Sequence, residues 1–269
     1  MSSFNDIKNI FIDTIDIEEY VELESALYSY NRLSDSINRP LKMVLLFGRP
    51  GTGKSILLNR LYQNLKYQRE IHYFDAPSTE EREFFRKFFK LVTLKDLPKN
   101  TEINFTTLVD YCKSIQGKRE ITILLDEAQM YDTSMLEKIR ILSDTRAIKF
   151  VISIHKTDNE DLITKEHFKT RIWETIELRN VSKVELKSYI HKKLLKRNYF
   201  EIADIIKDKH INMIYSFTNG NFRECNKMMF KIFEIYEYYD GLEGYKINEN
   251  RFSKKFIEMA AIRLGYINV

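Results

Sequence analysis

Gly48-Arg49-Pro50-Gly51-Thr52-Gly53-Lys54-Ser55 has the spacing G-x-x-x-x-G-K-[ST], directly after an apolar run, Met43 to Phe47, and directly before a helical run, Ile56 to Leu65. Glycines lack a Cβ, so successive backbone amides can close around phosphate oxygens. Lys54 then adds a cation near the β- and γ-phosphates, and the Ser55 hydroxyl can ligate magnesium. Ile56, next in the chain, completes the residues assigned to the nucleotide. Three of the eight glycines fall in this loop, a concentration that argues against a chance match in so glycine-poor a chain.

A second group of the right chemistry lies downstream. Ile121-Thr-Ile-Leu-Leu-Asp126-Glu127 is an apolar strand ending in two carboxylates. Asp126 would hold magnesium, and Glu127 would orient or activate the attacking water, because a carboxylate beside a γ-phosphate is what hydrolysis needs.

Elements must position these groups. Short β-type runs alternate with longer helical patterns, the signature of a parallel sheet with helices on both faces. Five strands are predicted at Met43–Phe47, Ile71–Phe74, Ile121–Leu125, Phe150–Ile154 and Glu174–Leu178, mostly rich in Val, Ile, Leu or Phe. Tyr20, Leu23, Leu27 and Tyr30 recur at helical spacing, predicting an amphipathic helix from about Glu18 to Leu33. Further helices are expected near Glu80 to Leu91 and Phe105 to Ile115, with Pro98 and Asn100 marking a loop between them. After Leu178 the pattern turns helical throughout. Ser182-Lys-Val-Glu185 has the form of a capping box, and Asn219-Gly220 and Asp240-Gly241 read as turns. The expected division is a core over residues 1–180 and a small helical domain over 181–269.

Composition narrows the class. With 269 residues and 43% hydrophobic content, a core is affordable in each domain. No apolar run approaches the roughly 20 residues of a membrane-spanning helix, and the amino terminus lacks a signal pattern, which places the chain in the cytoplasm, with any attachment at the inner membrane made through partners. Cys112 and Cys225 have no metal-ligand spacing and read as reduced thiols. The net charge of +4 is too small to identify nucleic acid as a partner. Lys183, Lys187, Lys192, Lys193, Lys196 and Arg197 form the densest basic stretch, a solvated helix face or a DNA contact.

Taken together, Lys54, Ser55, Asp126 and Glu127 resemble the AAA+ ATPases, and the resemblance runs over about residues 15 to 265. It implies a P-loop core with a five-stranded parallel sheet between helices, followed by an all-helical lid, and it implies ATP and Mg2+ as ligands. A polar residue at the end of the strand after Asp126 would sense the γ-phosphate; Phe150-Val-Ile-Ser-Ile-His155 offers His155, with Ser153 as the second choice, although Asn or Thr is more usual there. Lys169-Thr-Arg171-Ile172 resembles the element that supplies an arginine finger to a neighbouring subunit, which implies a homo-oligomer with Arg171 as the finger. Asn219-Gly-Asn-Phe-Arg223 resembles the second sensor of the lid, with Arg223 reaching the nucleotide.

Asp126-Glu-Ala-Gln129 and Gly220-Asn-Phe-Arg223-Glu-Cys-Asn226 are most similar to a bacterial group of secretion-assembly and transposition-helper ATPases, related to the replication initiator and loader branch. The implied function is ATP binding and slow hydrolysis that moves core against lid and so assembles or remodels a partner complex. A secretion, pilus or DNA-uptake apparatus is the favoured partner, and DNA with a transposase or replication protein is the alternative. A P-loop kinase is a third reading, opposed by the strand-terminal Asp-Glu pair and the long helical region.

Overall fold

The computed structural model describes residues 3–78, 80–96, 103–155, 170–243, 247 and 251–267; Pro98, Asn100 and Lys169 lie outside these. The chain divides into two compact units, one of Tyr28–Arg49 with Lys54–Leu178 and one of Met1–Leu27, Pro50–Gly53 and Arg179–Val269. The amino-terminal lead-in, expected with the core, thus packs with the helical unit, as does the crest of the glycine-rich loop.

The first unit is built on five parallel strands, β1 (Met43–Gly48), β2 (Ile71–Phe74), β3 (Ile121–Leu125), β4 (Ile148–His155) and β5 (Ile172–Leu178), in the order β2-β3-β4-β1-β5. All five expected strands are present, with β4 and β5 starting two residues earlier than the apolar pattern suggested. Their side chains alternate between two cores. Met43, Leu45, Ile121, Ile123, Leu125, Phe150 and Ile152 pack on one face; Val44, Leu46, Leu124, Val151 and Ile176 pack on the other. Burial on both faces is why β1, β3 and β4 read as nearly continuous apolar runs.

The first core is closed by α4 (Glu81–Thr93), α5 (Phe105–Ser114) and α6 (Thr133–Asp144), and it is rich in aromatic rings, with Phe84 at 5.1 Å from Phe74 and 5.6 Å from Tyr131. The second is closed by α2 (Glu24–Asn38) and α3 (Lys54–Leu65), through Leu33, Ile37, Leu57, Leu58 and Leu61. Cys112 and Cys225 are free and buried, and burial pushes each thiol up to about 12, in keeping with inert packing.

The helical unit consists of α1 (Ser3–Asn9), α7 (Lys183–Lys196), α8 (Phe200–Ile205), α9 (Asp208–Thr218), α10 (Phe222–Asp240) and α11 (Lys254–Arg263) around one core. Phe4 stacks on Tyr236 at 5.0 Å and Phe11 on Phe233 at 5.9 Å, so α1 is bound to α10 by aromatic contact. Two local expectations are revised. The amphipathic helix begins at Glu24 and not near Glu18; residues 17–19 form a single 3-10 turn capped by Asp16, and Leu23 enters the core of the helical unit. Carbonyls that a longer helix would have bonded internally accept instead from lysines of α7, Glu22 O from Lys192 at 2.7 Å and Glu18 O from Lys196. The capping box is half formed: the Ser182 hydroxyl accepts from Glu185 N–H at 3.2 Å, while the Glu185 carboxylate accepts from Ser25 N–H at 2.9 Å.

The basic stretch on α7 is committed within this unit. Lys187 pairs with Asp208 at 2.6 Å, Arg197 with Glu19, and Lys193 is buried beside the rings of Phe11 and Tyr189, with burial lowering its pKa.

In the first unit a buried lysine does similar work. Lys149 of β4 is 4% exposed and donates to the carbonyls of Ile37 and Arg39, at the end of α2, and to Glu120 at 2.7 Å. Lys149→Met keeps the volume but strips two carbonyls of a charged donor. It should cost about 2–3 kcal/mol, one such bond being worth about 1.5–3 kcal/mol, seen as a lower urea midpoint by far-ultraviolet circular dichroism. An unchanged midpoint would show that water replaces the ammonium without loss.

Candidate nucleotide site

Parallel register brings the candidate groups to one edge of the sheet. Gly48 of β1 is level with His155 of β4, and Leu125 of β3 is level with Ile152, so Asp126 and Glu127 emerge beside the last residues of β4. Crevices at the carboxyl ends of parallel strands are where such sheets bind ligands.

The loop after β1 needs its glycines. Gly51 and Gly53 have φ of +78° and +93°, in the left-handed region. A Cβ on Gly51 would lie 2.4 Å from Asn221 Oδ1 and 2.6 Å from Arg223 Cβ, so the loop crest tolerates no side chain there. Asn221 donates through Nδ2 to Pro50 O at 2.7 Å, and Phe222 N–H donates to Gly51 O at 3.1 Å. Arg49 and Pro50 are exposed, Thr52 is buried, and Ser55 and Ile56 are half-buried at the start of α3. Lys54 is 4% exposed, and its Nζ donates to Gly48 O at 2.9 Å and Arg49 O at 3.1 Å. Loop carbonyls thus hold the ammonium at the mouth of the loop.

Asp126 is 1% exposed. Its Oδ1 accepts from the Glu127 N–H at 3.0 Å and its Oδ2 from the Tyr73 hydroxyl at 3.3 Å, and among the described residues it makes no ion pair. A buried carboxylate with only neutral donors is suited to a cation, so Asp126 and the Ser55 hydroxyl fit Mg2+ by donor type. Sequence reasoning missed Tyr73. It stands on β2 level with Leu124, and its hydroxyl also lies 3.4 Å from Ser55 O. Burial first, then the charge of Asp126 and the hydrogen bond to it, hold the phenol well above its usual range, so it stays a neutral donor.

Glu127 follows with φ +51° and ψ 36°, a left-handed conformation in a non-glycine residue. Both carboxylate oxygens are engaged, Oε1 by His155 Nε2 at 2.9 Å and Oε2 by the side-chain amide of Gln129. The Gln129 Oε1 in turn accepts from the His155 N–H at 3.2 Å. Burial and the nearby charge of Lys54 lower the His155 pKa, outweighing Glu127, so the imidazole is a neutral donor near pH 7. Ser153, two residues earlier on β4, is fully buried, and its hydroxyl has no partner among the described residues.

Arg171 and Arg223, the two candidate arginines, each face an aspartate. Arg171 lies 3.6 Å from Asp144 in its own chain, where Lys42 and Arg140 also pair at 2.6 and 3.0 Å. Burial pushes the Asp144 carboxyl up, but the Lys42 hydrogen bond and the charges of Lys42, Arg171 and Arg140 outweigh it and hold the pKa low. Arg223, at the start of α10, donates from Nε to Asp13 Oδ2 at 3.0 Å; Asn226 donates to Asp13 Oδ1 at 2.8 Å and accepts from the Tyr189 hydroxyl at 2.8 Å. No sequence signal pointed to Asp13.

Residues 39–163 match the family model of the AAA domain. No curated protein matches the sequence. Among solved structures, Cdc6p from Pyrobaculum aerophilum is similar with 15% identity and a TM-score of 0.63, over 95% of this chain and 70% of that one. The ORC1 protein of Aeropyrum pernix, solved in complex with DNA, gives 14% and 0.62 over 96% and 69%. A Walker-type ATPase of Pyrococcus abyssi gives 17% and 0.54 over 96% and 78%. The chain therefore has an α/β fold with a five-stranded parallel sheet and a helical carboxy-terminal part, and its structural neighbours are P-loop AAA+ proteins.

Proposed function

We propose that this chain binds ATP with Mg2+ at Gly48–Ser55 and hydrolyses it slowly, using the nucleotide cycle to assemble or remodel a partner complex. The observation that carries the reading is Asp126, a buried carboxylate with no ion pair among the described residues, on the same sheet edge as a glycine loop whose Lys54 is held by loop carbonyls. Lys54 would exchange those carbonyls for phosphate oxygens. Ser55 and Asp126 would hold magnesium, which neutralises charge on the phosphates. Glu127 is the base that takes a proton from water, His155 the γ-phosphate sensor, and Arg223 a second contact to the nucleotide.

A protein complex is the favoured target, such as a secretion, pilus or DNA-uptake machine at the inner membrane. Support comes from the basic stretch of α7, whose Lys187, Lys192, Lys196 and Arg197 are engaged by acidic side chains and carbonyls of the same unit. A DNA-associated role in transposition or replication is the second reading, favoured by the likeness to an ORC1 protein solved with DNA. Fluorescence anisotropy with duplex DNA in about 150 mM salt separates the two. The protein-partner reading expects only salt-sensitive binding with a Kd no tighter than about 10⁻⁶ M, whereas tight ATP-dependent binding by the chain alone would favour DNA.

The assignment of the loop and the base makes a paired prediction. Lys54→Ala should lose most ATP affinity, because it removes the fixed cation at the β- and γ-phosphates. Glu127→Gln should bind ATP within about twofold of the parent but hydrolyse it at least about 100-fold more slowly, since an amide cannot act as a base. Titration with a fluorescent ATP analogue and single-turnover hydrolysis measure the two effects. Unchanged affinity in the first variant or unchanged turnover in the second would refute the corresponding role.

Arg171 is proposed to leave Asp144 and act on the ATP of a neighbouring copy, where an arginine finger is worth about 10³–10⁵ in rate. Arg171→Ala should then bind ATP normally yet hydrolyse it poorly. Mixing it with Lys54→Ala should restore hydrolysis, because one composite site combines ATP on the first with the arginine of the second. Normal hydrolysis by Arg171→Ala, under conditions where the parent oligomerises, would make Arg171 a structural partner of Asp144 and move the search to Arg140, Arg146 and Arg179.

A further inference from the structure

The turn after β3 holds a strained backbone and a bridging side chain. A non-glycine residue in the left-handed region costs about 1–3 kcal/mol and persists only where its surroundings fix it. Glu127 is so fixed: its N–H donates to Asp126 Oδ1 at 3.0 Å, and its carbonyl accepts from Met130 N–H at 3.0 Å in the short 3-10 turn that follows. The left-handed residue turns the chain out of the strand direction and brings the Glu127 and Gln129 side chains together beside the tip of β4.

Gln129 meets two different demands there. Its Nε2 donates to the Glu127 carboxylate and its Oε1 accepts from the His155 N–H. Rotating the amide by half a turn would set oxygen against carboxylate and N–H against N–H, so only one orientation satisfies both partners. Packing alone does not aim Glu127, whose side chain is 31% exposed and has three rotatable bonds. A base must be aimed, since a misplacement of about 1 Å can cost about 10² in rate.

We propose that Gln129 is a positioning residue for hydrolysis: its amide ties the Glu127 carboxylate to the backbone of His155, so that the base takes its position from the tip of β4. The inference rests on the reading of Glu127 as the base. It adds a coupling to that reading. A displacement of His155 by a bound γ-phosphate would move its own N–H, and through Gln129 the carboxylate, while the imidazole that donates to Oε1 is drawn away and leaves that oxygen open to water.

The test compares the parent chain with Gln129→Ala, Gln129→Met, Glu127→Gln and the double variant Glu127→Gln/Gln129→Ala. Both single changes at Gln129 should slow single-turnover hydrolysis about tenfold or more, with ATP affinity within twofold and an unchanged thermal midpoint. Methionine retains the bulk but not the two hydrogen bonds, so a loss in both variants assigns the effect to the amide. In the Glu127→Gln background the further change should have no effect on the residual rate. Backbone hydrogen exchange at His155 should accelerate in Gln129→Ala. The positioning role is overturned if the parent hydrolyses ATP and Gln129→Ala does so at the same rate, if Gln129→Met retains full activity, or if the loss is equally large in the Glu127→Gln background. If the parent shows no hydrolysis while His155 exchange still accelerates in Gln129→Ala, the tie stands and the reading of Glu127 as base is what fails.

Discussion

The register of three neighbouring parallel strands fixes the candidate site. β4 lies between β1 and β3; it ends level with β1, His155 beside Gly48, and runs on past the end of β3, where Leu125 is level with Ile152. Every functional group at this edge inherits its position from that stagger. A slip of one residue would exchange the two faces of β4 and drive Val151 into the core that now holds Phe150 and Ile152. Lys149 guards against the slip from the opposite end of the strand, because its ammonium is placed where the carbonyls of Ile37 and Arg39 and the Glu120 carboxylate converge. Burial of a lone amine is costly without such acceptors, and the lowered pKa of Lys149, caused mainly by burial, records that cost.

Buried charge at the edge is likewise held by local dipoles. The Lys54 ammonium rests on two loop carbonyls and the Asp126 carboxylate on a peptide N–H and the Tyr73 hydroxyl. Neutral donors hold the Asp126 carboxylate in place without cancelling its charge. A carbonyl pair is a weaker acceptor for an ammonium than a phosphate, and a hydroxyl a weaker partner for a carboxylate than a divalent cation. Exchange of these weaker partners for stronger ones is what the proposed binding of ATP and Mg2+ would consist of.

What could be read from the chain alone follows from how local each signal is. Strand positions were legible because residues such as Val44, Leu124 and Val151 are apolar for burial on both sheet faces, and the glycine loop because left-handed backbone at Gly51 and Gly53 demands that residue. The rest depended on contacts between residues far apart in sequence. Helical spacing in residues 18–33 extended the helix too far, because lysines of α7 take the carbonyls of Glu18 and Glu22. Tyr73 looked like one more apolar position of β2, and only strand pairing shows its hydroxyl to lie beside Asp126. The left-handed turn at Glu127 had no glycine to announce it.

Charge was the least legible property. Counting Lys183, Lys187, Lys192, Lys193, Lys196 and Arg197 as one basic surface assumes that each points to solvent, an assumption that helical spacing alone cannot test. In the folded unit the stretch has been divided by its own geometry: Lys193 falls on the buried face of α7, while Lys192, Lys196 and Arg197 reach Glu22, Glu18 and Glu19 in the segment that precedes α2. Both lysine contacts are to carbonyls, which accept a cation without neutralising it, so formal charge remains although the donors are occupied. An anionic partner at this surface would have to compete with bonds that hold residues 18–22 out of an α-helix. The basic stretch is thus part of what fixes the local fold, and its charge count says more about how the lead-in is fastened than about what the protein binds.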